Sequence, residues 1–442
     1  MLAAADAQTA RLCIDNHSGQ TVNVQPEDSL GFITVGSATC DTLQMTLPIP
    51  RYYSVQDASY HSRTVYVAPG TSTTVSITPD EIRVGGDLAA ENDFIRRYTY
   101  LCRTPQDIAL YSAAWADYHQ GVLDSLHRAL QQAAVSPQFK AVHRLYLDYT
   151  FLNQRLSGPK TAQTFGSQRG AQVKLAPDYY DFLDSLEWSD PHVLSVPRWF
   201  TVVNTALEEM EREQKMTVSN DHYMAAYARR ISHPEVRSEF LRQLISLNMK
   251  KGYYEDVAAQ IDEVAPYLAS TAERDSAVAQ VNRLRLQNQD VARGVLLDDF
   301  TAQTPEGQAW SLQGLHGKVV LLDFWYTGCI PCKAEMPYVE QLARHFSGQP
   351  FAVVSVSLDT GDQLMAAWRR MMAERSADSP VVHVNLPGGF RSPLIRKLGI
   401  RSVPRLMLLD AEGRVADAFA KRPSDPRLRQ QIEQFLLGAD QR

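Results

Sequence analysis

Cys329-Ile330-Pro331-Cys332 is the segment of this 442-residue chain whose residue types and spacing point most directly to chemistry. On the first turn of a helix, positions i and i+3 share a face, so the two sulfurs can close a small disulfide ring and reopen it with little backbone movement. Pro331 suits a helix start, where its missing N–H would be unpaired anyway. Cys329, at the helix N-terminus, meets free amide N–H groups and the positive end of the helix dipole, which favour its thiolate. The expectation is thiol–disulfide exchange. Cys329 attacks a disulfide to give a mixed disulfide, and Cys332, set deeper, resolves it by attacking the Cys329 sulfur. Such a pair can also be half of a zinc site, but zinc needs further ligands. In this region His316, His345 and His383 stand singly and no third cysteine follows, so neither a metal nor another cofactor is expected.

The elements that must hold the pair alternate. Lys318–Trp325 is an apolar strand, Pro331–Phe346 a helix, Phe351–Leu358 a strand and Gly361–Arg375 a helix, which is an α/β pattern. Arg391–Leu398 then makes a helix, Arg405–Asp410 and Arg414–Phe419 a hairpin turning at Ala411-Glu412-Gly413, and Pro426–Leu437 a closing helix. The cysteines sit where the first strand gives way to the first helix.

These residues resemble the thioredoxin superfamily, and within it the exported TlpA/ResA-like thiol–disulfide oxidoreductases. The resemblance runs from about Leu296 to Arg442. Gly317–Trp325 is similar to the family's first central strand, Lys333-Ala334-Glu335-Met336-Pro337 to its helix after the cysteines, and Gly399–Pro404 to its cis-proline loop. It implies that Pro404 is a cis-proline facing the disulfide. The backbone at Val403, with Ile330 and Pro331, would then meet an extended substrate strand. It further implies Asp323 as a buried carboxylate that moves the thiols' protons and Glu335 as a second tuner one turn after Cys332. A solvated or structural carboxylate is the alternative at both positions. No lysine stands in Phe351–Leu358, where thioredoxins often place the partner of that aspartate, and Gly328 replaces the tryptophan that many carry before the first cysteine. Loss of that bulky neighbour predicts a less covered disulfide. Trp325 reads as core packing. The stretch from Ser355 to about Val382 carries an inserted helix, with Leu364, Trp368 and Met371 on one side, as TlpA/ResA-like proteins do. The family's habits imply protein disulfides as substrates, a membrane thiol carrier as a possible electron donor, and a periplasmic or cell-envelope location.

A chain this long exceeds one ordinary core. From Ala10 to about Gly85, alternating runs such as Thr21–Val24, Thr42–Leu47 and Thr64–Val67 are separated by Asn16-His17-Ser18-Gly19 and Ala68-Pro69-Gly70-Thr71. This predicts a small antiparallel β-domain, sandwich-like, over residues 10–86. Residues 87–290 read as an all-α domain: Ile108, Tyr111, Trp115, Tyr118, Val122 and Leu126 recur on one helix face, Ser232-Pro234-Glu235 opens a helix that Gly252 stops, and Ser270 with Glu273 has capping-box spacing. The polar stretch Gln287–Gly294 reads as a linker to an α/β domain over 296–442. Cys13 and Cys40 are equally compatible with a disulfide and with free thiols, and Cys102 reads as a small core residue.

Composition narrows the function classes. With 44% hydrophobic and 21% charged residues and a formal net charge of −6, nucleic acid is not expected as a partner. No stretch reaches the roughly 18 apolar residues of a membrane span, and Met1–Ala10 lacks the basic start and apolar centre of a secretory signal. Two other functions compete with the oxidoreductase. One is a partner-binding scaffold with a secondary redox domain. The other is a thiol peroxidase, although the Thr and Pro that cradle a peroxidatic cysteine are absent around Cys329.

Overall fold

The computed structural model describes residues 7–27, 33–57, 62–98, 103–166, 175–216, 218, 222–374 and 378–439, so Cys102 lies outside the described residues. The chain divides into two compact units, 1–209 with 230–237, and 210–229 with 238–442.

The first unit opens with eight strands: β1 (Gln8–Asn16), β2 (Val22–Pro26), β3 (Ile33–Val35), β4 (Thr39–Leu47), β5 (Arg51–Asp57), β6 (Ser62–Val67), β7 (Ser72–Ile77) and β8 (Ile82–Gly86). They form two four-stranded sheets, β4-β1-β7-β8 and β3-β2-β5-β6. Leu12, Ile14, Val24, Val55, Val65 and Val75, from both sheets, share one core. The alternation that predicted strands is thus a sandwich's alternation, one side chain inward and the next outward. Pairing is antiparallel except between β1 and β7, which run parallel, as two strands separated by a long connection can. Helices α1 (Ala89–Arg97), α2 (Ala113–Gln132), α3 (Pro137–Gly166) and α4 (Trp199–Arg212) follow. Asn92 of α1 pairs with both the N–H and the C=O of Tyr66, satisfying the open side of edge strand β6. In α2 the buried side chains are Trp115, His119, Leu123 and Leu130. Tyr118 is exposed instead, because the helix starts at Ala113, capped by the Ser112 hydroxyl, and Ile108 and Tyr111 precede it.

The second unit contains α5 (Tyr223–Arg229), most of α6 (Pro234–Lys251), α7 (Tyr254–Val264) and α8 (Thr271–Gln287). The Ser270 side chain makes no capping bond, whereas Glu273 reaches back to the Ala269 N–H at 3.2 Å. After these come β9 (Thr301–Gln303), β10 (Ala309–Ser311), β11 (Val319–Trp325), α9 (Ile330–His345), β12 (Phe351–Ser357), α10 (Asp362–Ala373), β13 (Val382–Asn385), α11 (Pro393–Lys397), β14 (Arg405–Leu409), β15 (Val415–Asp417) and α12 (Pro426–Ala439). The seven strands form one mixed sheet ordered β10-β9-β13-β12-β11-β14-β15. β11 is buried along its whole length, which is why it reads as an unbroken apolar run. Val320, Leu322 and Phe324 point to one core, while Val319 and Leu321 point to the other, beneath α9 and α12.

The stretch read as a linker is stitched to this sheet. Val291 joins its core, and Gly294 and Leu297 donate to the carbonyls of Val415 and Gly413. The helices of the unit meet the C-terminal segment through buried charge. Lys421 pairs with Asp256 of α7. Arg427 bonds Asp425 through two nitrogens at 2.8 and 2.7 Å and lies 4.1 Å over the Tyr223 ring of α5. Among the described residues no helix is long and apolar enough to cross a membrane.

Candidate active site

Cys329 is the N-cap of α9 and Pro331 lies in its first turn, as a helix start favours. The two cysteines are joined, with a Cα separation of 5.3 Å. The Cys332 N–H donates to Cys329 Sγ at 3.2 Å. Together with the helix dipole, that donor stabilises negative charge on the first sulfur when the bond opens. The Val403–Pro404 peptide bond is cis, and the Val403 carbonyl oxygen lies 3.8 Å from Cys329 Sγ. The structure therefore brings the cysteine pair and the Pro404 loop together. Ile330 and Pro331, between the cysteines, are exposed.

Cys329 and Cys332 are only 4% and 3% exposed. The expectation that Gly328 leaves the disulfide less covered is not met. A side chain at Gly328 would collide with the Tyr326 ring, 2.5 Å from an ideal Cβ, so Tyr326 fills the space that a neighbouring bulky residue would take. The rest of the cover is Trp325 from β11 and Trp368 with Met372 from α10, all buried in one cluster with the two cysteines. The inserted helix thus serves as a wall of the site.

Asp323 is buried in β11, opposite Ser355 and Leu406. By alternation it shares the sheet face of Leu321 and Trp325, the face covered by α9. Glu335 is buried on α9, and both carboxylate oxygens are engaged. Oε2 accepts from the Ser424 N–H and Oε1 from its hydroxyl, each at 2.9 Å, with Arg422 at 4.0 Å. The carboxylate fastens α9 to the turn before α12.

One residue of the site went unread in the sequence. Asp359, 1% exposed, accepts the Thr327 N–H through both oxygens at 3.1 and 3.0 Å, the Thr327 hydroxyl at 2.7 Å and the Ser357 hydroxyl at 2.9 Å. It holds the Tyr326-Thr327-Gly328 turn that delivers Cys329. The available signal was topological: β11 and β12 are parallel neighbours, so residues just past the end of β12 lie beside those just past the end of β11. The same end of the sheet carries Phe390, 40% exposed, its ring 6.1 Å from that of Tyr326. Its turn depends on Gly389, at φ 49°, where a Cβ would lie 2.4 Å from the Leu358 carbonyl oxygen.

A thioredoxin-like family profile matches residues 317–415. The thioredoxin-like protein YneN of Bacillus subtilis is 28% identical over 149 residues, 32% of this chain and 80% of that protein. The thiol-disulfide oxidoreductase ResA of Halalkalibacterium halodurans is 27% identical over 138 residues, 31% of this chain and 72% of that protein. The thioredoxin domain of a thiol-disulfide oxidoreductase from Bacteroides vulgatus is 26% identical, covering 33% of this chain and 98% of its own, with a TM-score of 0.29.

Proposed function

With a thioredoxin-like thiol–disulfide oxidoreductase domain at the C-terminal end of this chain, we propose that the protein is a reductase of protein disulfides in the periplasm or cell envelope, re-reduced by a membrane thiol carrier. The observation that carries this reading is the cysteine pair at the start of α9 facing the Val403-Pro404 loop.

In the reduced enzyme, the Cys329 thiolate attacks one sulfur of a substrate disulfide. A Cys329–substrate disulfide forms and the other substrate sulfur leaves as a thiolate. Cys332, having lost its proton, attacks Cys329 Sγ, releases the second substrate thiolate and closes the Cys329–Cys332 bond. Two electrons pass to the substrate, and two from the donor restore the dithiol. Asp323, on the sheet face beneath α9, is the proposed acceptor of the Cys332 proton. Glu335 tunes the pair by fixing α9. The Val403 backbone pairs with an extended substrate segment, while Ile330 and Pro331 meet its side chains.

The test is a redox equilibrium of the pair against glutathione and dithiothreitol, with insulin reduction as the activity assay. Cys329→Ser abolishes reduction, and Cys332→Ser accumulates a mixed disulfide with the substrate. A potential at the strongly oxidising end, near about −120 mV, overturns the reductase direction. Loss of reduction in Cys329→Ser with an unchanged biological phenotype would favour a partner-binding role.

A further inference from the structure

The β-sandwich holds a second pair of thiols. In the β1–β4 ladder Cys13 pairs with Thr42 and Asp15 with Cys40, so the two cysteines are diagonal neighbours on one face. Leu12 and Ile14 alternate with Cys13 and are fully buried, which makes the cysteine face the outer one. The two Sγ atoms are 3.1 Å apart, Cys13 half-buried and Cys40 exposed.

We propose that Cys13 and Cys40 are a second thiol–disulfide pair of this protein, closing into a cross-strand bond that fastens the edge strand β4 to β1. The ladder already holds the two strands in register with the sulfurs 3.1 Å apart, so much of the ordering that a disulfide usually demands has been met by the sheet, and closure brings the sulfurs about 1 Å nearer. The strand benefits from it. β4 is at the edge of its sheet, and of its nine residues only Leu47 is buried, so few side chains resist its peeling away.

The chemistry balances with a small disulfide, RSSR, as oxidant. Exposed Cys40, as thiolate, attacks RSSR, forming Cys40–S–S–R and releasing RS⁻. Cys13 loses its proton to water and attacks the Cys40 sulfur, forming Cys13–S–S–Cys40 and releasing the second RS⁻. The pair gives up two electrons and two protons, and RSSR becomes two RSH. The surroundings mark a staple rather than a catalyst. The hydrogen bond with Cys13, then burial and the negative charge of Asp15 and Asp41, push the Cys40 thiol above its ordinary range, the reverse of the electropositive setting of Cys329.

The experiment uses the full chain with Cys329→Ser and Cys332→Ser, which keeps Cys13, Cys40 and Cys102 of the five cysteines. After equilibration with oxidised glutathione, thiols are counted under denaturing conditions and linked peptides are mapped by mass spectrometry. The expected result is a Cys13–Cys40 peptide with neither of these two residues free or glutathionylated. Free thiols or persistent glutathione adducts at Cys13 and Cys40, or a link from either to Cys102, overturns the proposal. The same mapping on the unsubstituted protein covers the case in which the variant fails to fold. Amide exchange in β4 should slow by about tenfold on oxidation, and not in Cys13→Ser/Cys40→Ser. Equal exchange in both redox states overturns the fastening role. Insulin reduction by the Cys13→Ser/Cys40→Ser protein stays at the level set by Cys329, so failure here leaves the reductase reading standing.

Discussion

Replacing Asp359 with alanine tests whether the site depends on a residue that never touches the sulfurs. The substitution leaves the Thr327 N–H, the Thr327 hydroxyl and the Ser357 hydroxyl without their buried acceptor. A lost hydrogen bond to a charged group costs about 1.5–3 kcal/mol, and the three share one carboxylate, so roughly 3–5 kcal/mol of stability should go. Thr327 lies two residues before Cys329. Freeing it raises the entropy lost when the sulfurs are brought together, which weighs against the disulfide form more than the dithiol form. If about 1 kcal/mol of the loss falls on ring closure, the reduction potential rises by ~20 mV. Trp325 and Trp368 share one buried cluster with the two cysteines, so their fluorescence should respond to the redox state, and a glutathione titration followed at the indole emission gives the shift. Thr327→Val keeps the backbone bond and should lose roughly 1–2 kcal/mol, with a smaller shift in the same direction. A potential within about 5 mV of wild type in a clearly destabilised Asp359→Ala protein refutes the reasoning, because the network would then support the fold without positioning the pair.

Other outcomes follow from the same geometry. Glu335→Ala frees Ser424 and should cost about 1–2 kcal/mol in denaturant titrations, with Ser424→Ala costing less because the backbone N–H bond survives; wild-type insulin reduction by both variants would remove Glu335 from the chemistry. Ile330→Ser, between the cysteines, and Phe390→Ser, beside the Tyr326 ring, both at exposed apolar positions, should lower kcat/KM for a peptide disulfide by about fivefold while leaving a small aromatic disulfide substrate unaffected. Equal losses on both substrates would mean that the loops, and not recognition, had been damaged. His143 is buried between the rings of Phe139 and Tyr146, and burial, then the charge of His127, pulls it down to about 3. The unfolded chain therefore takes up a proton at higher pH than the folded one, and stability falls as pH drops from about 6.5 toward 3, by roughly 2 kcal/mol between pH 7 and 5. His143→Phe should flatten that slope although it deprives the Tyr52 hydroxyl of its partner; an unchanged slope would assign the acid sensitivity elsewhere.

Legibility in the sequence followed the range of the interactions. The central strand β11, buried on both faces, and the helix opened by Cys329 and Pro331 are local patterns, and the fold class could be read from them. β9 and β10, three residues each, and β13, which carries His383 and Asn385 among its four, have too little periodicity to read; pairing with their neighbours defines them. Spacing counted from Ile108 puts Tyr118 on the buried face of α2, whereas the helix is phased from Ser112. His119 takes the buried place, its ring nitrogen paired with the Thr104 hydroxyl at 3.0 Å. At the site, the cysteines and Pro404 were legible as motifs. Asp359 and Ser424 were not, since each matters only because of what lies across space from it. Nothing at Gly328 foretold that Tyr326 would bend over the position.

The buried ions of the second unit bear on how this protein can be cut. Phe419 packs against Tyr254 of α7, Lys421 against Asp256, and Arg427 against Tyr223, so α5 and α7 complete the surface that α12 and the turn before it would otherwise show to water. A fragment trimmed to residues 296–442, the natural choice for expression, would carry an uncovered aromatic and cationic face prone to self-association. One that begins before Met210 keeps the cover. For the same reason, deletions in α5 and α7 that look neutral for a helical appendage should reduce the yield of active enzyme.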